Sequence, residues 1–146
     1  MKIVLGNDHA GYDLKIAIKE ALVNKGYDVL DVGTNSKQST DYPDYALAAS
    51  QKVASGEFER GILICGTGIG MCITANKVSG IRAALIFDNE MARLTREHND
   101  SNVLCLGKSH EPEKALQMVD TWLNTAFEGG RHTRRIEKIS NFENKR

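Results

Sequence analysis

A cysteine followed by alternating glycines is the feature of this chain that most directly indicates chemistry. Cys65 comes directly after an apolar run at residues 62–64, and Gly66, Gly68 and Gly70 follow it. Glycine allows positive φ and close backbone approach, so the loop can direct several N–H groups at one point. The helix predicted to begin there adds partial positive charge, which favours an anion and a thiolate. We expect an anion site with a thiol base or nucleophile at its edge; the alternative is a loop that serves packing alone.

Two other motifs place histidine beside carboxylate or amide groups. Asp8 and His9 follow the first predicted strand and precede Gly11. His9 there can bind phosphate, whereas Asp8 can simply cap the following helix. His98 and Asn99 end a predicted helix. His98 is a candidate general acid or base because histidine titrates near neutral pH. The alternative is that Asn99 caps the helix and His98 interacts with its dipole.

A basic segment near the C-terminal end of the sequence could bind a phosphate group. Arg131 and Arg135 are four residues apart, so they share one face if the segment is helical. Two forked guanidinium groups on one face suit a phosphate dianion. The alternative is a solvated basic face, which the nearby Lys138 favours.

Several familiar nucleotide and metal motifs are incomplete. Gly107-Lys108-Ser109 resembles the end of a P-loop, but Asn102 stands where its first glycine is required. The dinucleotide motif lacks its third glycine, since Met71 stands there. The spacing of histidine and cysteine matches no zinc motif.

Composition excludes other classes of function. The chain has 146 residues with 19 basic and 19 acidic side chains, and zero net charge argues against a broad nucleic-acid surface. No apolar run is long enough to span a membrane, and the first residues turn polar too early for a signal peptide. Three cysteines are too few for a disulfide framework. We therefore expect a cytoplasmic protein in a reducing compartment.

Apolar runs alternate with helical patterns along the chain. Strands are predicted at residues 2–5, 27–32, 61–64, 81–86 and 103–106. Helices are predicted at 45–54 with Asp44 as cap, at 70–77 and at 90–98, and the clearest apolar stripe covers 115–126. A last helix is predicted from about residue 133. This alternation predicts one α/β domain over residues 1–146, with a parallel sheet covered on both faces and ligands at the carboxyl ends of the strands.

Together the motifs resemble the B-type ribose-5-phosphate isomerase family, which includes the galactose-6-phosphate isomerase subunits. The similarity covers nearly the whole chain. It depends on the segments at residues 6–11, 41–44, 65–70, 75–77, 98–100 and 129–135. The resemblance implies a Rossmann-like three-layer α/β/α sandwich with a five-stranded parallel sheet. It also implies an enzyme of the pentose phosphate pathway that acts on a phosphorylated sugar. The expected assembly is a homodimer or dimer of dimers with active sites at the interface. The resemblance also implies that the enzyme uses no metal and no organic cofactor.

The resemblance also implies roles for individual residues. Cys65 matches the family's base for the C2 proton, and Thr67 matches the hydroxyl that moves protons between O1 and O2. The amides of the Gly66–Gly68–Gly70 loop match the anion hole for the enediolate. Asp8, Tyr42 and His98 match the family's ring-opening residues, and Asn99 matches a substrate contact. The phosphate contacts of the family are matched by His9, Arg131 and Arg135. Some relatives have a catalytic glutamate at the position of Met71, so this chain resembles the cysteine branch.

The chain departs from the family pattern at one phosphate contact, and two other functions are compatible with its residues. Many members have an arginine where this chain has Ser109, so Lys108 is the candidate to replace that phosphate contact. The substrate could be a six-carbon sugar phosphate, such as allose or galactose 6-phosphate, instead of ribose 5-phosphate. A non-catalytic phosphate-binding module is the alternative from another class, but it would not require Cys65 at the anion site.

Overall fold

Five strands form one parallel sheet in the computed structural model, which describes residues 1–145. The strands are β1 (Lys2–Asn7), β2 (Asp28–Asp31), β3 (Arg60–Cys65), β4 (Ala83–Leu85) and β5 (Val103–Gly107). Their order across the sheet is β2-β1-β3-β5-β4, with every pairing parallel. The predicted five-stranded α/β fold is therefore confirmed.

Helices cover both faces of this sheet. They are α1 (Tyr12–Asn24), α2 (Tyr42–Ala54), α3 (Ile69–Ala75), α4 (Asn89–Asn99), α5 (Pro112–Asn124) and α6 (Arg131–Glu143). Side chains of α1, α4 and α5 pack on one face, around the fully buried Trp122. Those of α2 and α3 pack on the other face. Because both faces are covered, the central strands are continuous apolar runs, and Ile3, Val4 and Leu5 are all fully buried.

Two predicted helix starts are wrong by a few residues. The second helix begins at Tyr42 rather than at residue 45, because Pro43 fits the first turn of a helix. Asp44 therefore lies inside that turn and is not the cap. The last helix begins at Arg131 rather than near 133, directly after Gly130 with its φ of 57°. Asp100, with φ of 46°, ends α4 in place of the suggested Asn99 cap.

The direction of α4 decides which residues can meet. In a parallel sheet the helix after a strand runs back toward the amino ends of the strands. Asn102, just beyond α4, accepts a hydrogen bond through its backbone oxygen from the N–H of Gly61, near the start of β3. Arg82, which precedes β4, donates from Nε to the Asn99 backbone oxygen at 2.9 Å. The end of α4 therefore lies at the amino edge of the sheet.

Candidate active site

The loop after β3 directs a backbone amide at the Cys65 thiol. The N–H of Gly68 points at Cys65 Sγ from 3.2 Å, and Cys65 is 4% exposed. Gly68 has φ of 81°, and a Cβ there would lie 2.6 Å from the Leu85 side chain and 2.8 Å from the Leu106 backbone. Only glycine meets both requirements. The predicted placement of a thiol beside a backbone amide of the glycine loop is therefore present.

Thr67 lies in the same loop with its hydroxyl at the surface. Its Oγ1 accepts a hydrogen bond from the N–H of Ile69 at 3.2 Å. A hydroxyl that accepts from the backbone still has its own proton to donate. Thr67 can therefore exchange protons with a ligand held over the loop.

Asp8 and His9 reach the loop from the carboxyl end of β1. The Asp8 N–H donates to the Ile64 backbone oxygen, and Asp8 Oδ1 accepts from the Gly11 N–H at 3.1 Å. The suggested capping of α1 by Asp8 is wrong, because Gly11 is the N-cap residue and Asp8 instead closes the turn that precedes the helix. His9 Nδ1 accepts from the Thr40 N–H at 3.2 Å. A neutral His9 consequently carries its proton on Nε2, where it can donate to an anion.

Tyr42 joins this group from the start of α2. A Cβ built on Gly70 would lie 2.5 Å from two atoms of the Tyr42 ring, so the ring rests directly on that glycine. The Tyr42 side chain remains 39% exposed. We call the residues at this end of the sheet the carboxyl-edge set; they are Asp8, His9, Tyr42, Cys65, Thr67 and the three loop glycines.

The other predicted residues lie at the opposite end of the sheet. His98 and Asn99 end α4, while Arg131 and Arg135 lie in the first two turns of α6. We call these four residues the amino-edge set. At about 1.5 Å per residue, His98 is about 13 Å along α4 from Asn89 at the carboxyl edge. One chain therefore does not bring its two sets of predicted residues together.

His132 is a residue at the amino edge to which the sequence assigned no role. It is 3% exposed, and its ring stacks on His98 with centroids 4.3 Å apart. Burial lowers the pKa of His132, and the charges of Arg131 and His98 lower it further. The neighbouring carboxylate of Glu128 lies 3.7 Å from His132 Nε2 and 3.6 Å from an Arg131 nitrogen. The four-residue spacing of Glu128 and His132 was the available sequence signal.

A buried ion pair fixes the loop that holds His9. Lys15 is fully buried, and its Nζ lies 2.8 Å from Asp31 Oδ2 and 3.0 Å from the Thr34 backbone oxygen. Burial alone raises the pKa of Asp31, but the Lys15 hydrogen bond and the Gly33 N–H outweigh it, so the pKa is lowered. Lysine within an otherwise apolar helix face was the sequence signal for this positioning contact.

The other two cysteines lie outside the glycine loop. Cys105 is fully buried, whereas Cys72 is only half-buried. A hydrogen bond with the Cys105 thiol lowers the pKa of Cys72 to about 7 against the opposing effect of burial. The Lys108 N–H donates to the Gly66 backbone oxygen at 3.2 Å, so the backbone of Lys108 contacts the Cys65 loop.

Comparisons with known proteins agree on one family. The model of the family described as Ribose/Galactose Isomerase matches residues 3–139. Ribose-5-phosphate isomerase B of Escherichia coli is 48% identical, with 99% of this chain and 98% of that protein covered. The solved ribose-5-phosphate isomerase B of Clostridium thermocellum is 52% identical with a TM-score of 0.97, and 99% of each chain is covered. The Mycoplasma genitalium enzyme, solved with bound ribulose-5-phosphate, is 42% identical with a TM-score of 0.95, covering 99% of this chain and 97% of that one. Among residues 1–145, no helix is long and apolar enough to cross a membrane.

Proposed function

This chain belongs to the ribose/galactose isomerase family, and we propose that it interconverts ribose 5-phosphate and ribulose 5-phosphate. The observation that carries the proposal is the Cys65 thiol with the Gly68 N–H directed at it from 3.2 Å. Aldose–ketose isomerisation requires a base for a carbon-bound proton and donors for the oxyanion that forms. The Cys65 thiol supplies the base, and the N–H groups of the glycine loop beside it supply the donors.

The proton moves between two neighbouring carbons of the open-chain sugar. The Cys65 thiolate removes the proton from C2, and the C–H electron pair becomes the C1–C2 double bond of an enediolate. Negative charge passes to O1, where the loop N–H groups stabilise it; one such donor contributes roughly a hundred- to a thousandfold in rate. The Thr67 hydroxyl moves a proton between O1 and O2. The protonated thiol then returns its proton to C1, which gives the ketose and regenerates the thiolate.

Ring opening precedes this step because the substrate exists mainly as a furanose. It removes the proton from the anomeric hydroxyl and delivers one to the ring oxygen. Asp8 and Tyr42 act at the carboxyl edge, and His98 exchanges the proton with the sugar oxygens. Asn99 contacts the substrate hydroxyls.

The phosphate group binds to cations and N–H donors. His9 donates from Nε2, and Arg131 and Arg135 present guanidinium groups from one face of α6. Lys108 takes the place of the arginine that many relatives have at the position of Ser109. Binding the remote phosphate fixes the reacting carbons over Cys65.

These roles require two copies of the chain. His98, Asn99, Arg131 and Arg135 of one copy complete the carboxyl-edge set of another, so the active unit is a homodimer or a dimer of dimers. The exposed surface of α6 supports this assembly, since Ile139 is 56% exposed beside a cleft of about 400 Å³ that Ile136 and Arg82 also line. We further propose that residues 1–146 work as one domain in the cytoplasm, without an organic or metal cofactor.

Turnover of purified protein tests this function. We expect ketose formation from ribose 5-phosphate in EDTA, with lower rates on allose 6-phosphate and galactose 6-phosphate. Cys65→Ala should lower kcat at least a hundredfold, as loss of a general base does, whereas the matched variant Cys72→Ala should retain activity. Higher kcat/KM on a six-carbon sugar would replace the proposed substrate. Activity in Cys65→Ala close to that of the parent would overturn the assigned base.

Alkylation gives a second test of Cys65, provided that Cys72 is removed first. The pKa of Cys72 is lowered to about 7, so that thiol also reacts at neutral pH. In a Cys72→Ala background, iodoacetamide should inactivate the enzyme, and saturating substrate should protect it. Full activity after stoichiometric alkylation of Cys65 would contradict the mechanism.

A further inference from the structure

Three potential metal ligands converge at the amino edge of the sheet. His98, Glu128 and His132 each offer one ligand atom, and these atoms all lie within 4.8 Å of one another. They come from the end of α4, the segment after α5 and the first turn of α6. The Glu128 N–H donates to the Glu97 backbone oxygen at 3.0 Å, which fixes this segment against α4. The backbone thus positions the three side chains before any ligand binds.

The Nε2 atom of His132 lacks a suitable partner. The residue is 3% exposed, and within residues 1–145 this nitrogen makes no hydrogen bond. Its neighbour Glu128 Oε1, at 3.7 Å, is too distant for one. Buried polar atoms normally have partners, so this nitrogen is available to accept a ligand.

We propose that His98, Glu128 and His132 bind a divalent cation of the zinc type, and that the bound cation reversibly inhibits the enzyme. Two imidazole nitrogens and one carboxylate oxygen form a ligand set that zinc accepts, with a fourth position open. Magnesium and calcium prefer oxygen ligands throughout and fit this set poorly.

Binding requires the half-buried His98 ring to rotate out of its stack on His132, because a ring nitrogen binds a metal in the plane of its ring and the two rings lie only 18° from parallel. Ligand atoms about 2.0–2.1 Å from a tetrahedral ion lie roughly 3.3 Å apart. The Glu128 side chain is 48% exposed and can rotate toward the buried His132, which stays in place. Arg131 faces the same carboxylate from 3.6 Å, and its positive charge opposes the cation. Affinity should therefore be below that of a structural zinc site, which suits reversible inhibition.

Inhibition, unlike binding, rests on the proposed isomerase function. The cation occupies a ring nitrogen of His98, the residue assigned to ring opening, and it draws Glu128 away from Arg131. Furanose substrate should therefore be affected more than an acyclic analogue. Chelation by EDTA should restore activity.

Cobalt and zinc titrations of the full chain test binding without measuring activity. Co²⁺ should give visible d–d absorption without a thiolate-to-cobalt charge-transfer band, and Zn²⁺ should displace it. Glu128→Gln and His132→Gln should each weaken binding at least about tenfold, since even contacts behind a ligand contribute that much. The matched controls Glu137→Gln and His110→Gln alter the same residue types outside the cluster and should bind as the parent does. Because Glu128 is exposed, the Glu128→Gln variant should fold, and it still tests the site if His132→Gln does not fold.

The outcomes of these titrations and of the turnover assay distinguish the metal site, the inhibition and the isomerase function. Weakened binding in the two cluster variants, together with inhibition that EDTA reverses, supports the proposal. A thiolate band, unchanged affinity in Glu128→Gln, or no binding at millimolar Co²⁺ overturns the site. Normal binding without inhibition of ribose 5-phosphate turnover overturns the regulatory part. Absence of turnover in metal-free parent protein contradicts the proposed function instead, and the binding results stand independently of it.

Discussion

Two inactive variants should restore activity to each other when their subunits mix, because each removes a different edge of the site. Cys65→Ala removes the proposed base at the carboxyl edge, and His98→Asn removes the proposed ring-opening residue at the amino edge. About 13 Å along α4 separates His98 from the carboxyl edge, which exceeds the reach of its side chain. If both residues act as proposed, a working site combines Cys65 of one chain with His98 of another.

The expected recovery follows from counting sites. Random mixing of equal amounts places about half of the subunits in mixed dimers. In each mixed dimer, one site carries both substitutions and the other carries neither. Half of the dimers are mixed, and half of the sites in each mixed dimer are intact. The mixture should therefore show about one quarter of the parent activity. A site formed within a single chain would give no recovery.

Co-expression with two different affinity tags allows the mixed dimer to be purified. Its kcat per dimer on ribose 5-phosphate should be about half that of the parent, with unchanged KM. The control is a mixed dimer of Cys65→Ala with Cys65→Ala,His98→Asn, which contains no intact site. Recovery below a few per cent in a verified mixed dimer would refute the two-chain site.

The remaining predictions concern phosphate binding, the glycine loop and acid stability. Arg131→Ala and Arg135→Ala should each raise KM about ten- to a hundredfold, the loss expected for a charge-assisted bond, in steady-state kinetics. Gly68→Ala should lower the free energy of unfolding by at least about 2 kcal/mol in urea, since a Cβ would meet Leu106 at an unfavourable φ. Because folding lowers the pKa of Asp31, its ionised side chain stabilises the fold at pH values above its ordinary pKa. This stabilisation is lost as the pH falls through the lowered pKa of the folded state. The stability difference between parent and Asp31→Asn should thus shrink as the pH falls below about 4 in acid unfolding curves.

Controls separate these effects from general damage. Arg134→Ala removes a neighbouring exposed arginine from α6 and should leave KM unchanged. Ribose without phosphate should respond little to either phosphate-site variant, and equal losses on both sugars would assign those arginines to the fold or the dimer. Gly56→Ala also changes a glycine with positive φ, but in open space, so it should cost less than Gly68→Ala. A pH-independent stability difference would contradict the stabilising role of ionised Asp31.

The strand, loop and helix start around Cys65 could be predicted from the sequence because they depend on residues that are neighbours in the chain. An apolar strand, a cysteine and three alternating glycines specify a strand, a tight loop and a helix start, and the structure contains them at β3 and α3. Helix starts were less accurate. At Tyr42 the apolar pattern begins later than the helix, and Pro43 gave the better signal. Loop contacts such as Lys15 with Asp31 were missed because the partners lie far apart in sequence.

The division of the site between two edges follows from chain connectivity. A parallel sheet requires each helix to run back to the amino ends of the strands, so a residue at a helix end lies far from the loops after the strands. His98 ends α4, and α6 begins soon after α5 has returned to the same edge. Reading His98 as a helix end therefore already placed it away from Cys65. Catalytic roles for both residues require a second chain, and the same connectivity brings His98 beside Glu128 and His132.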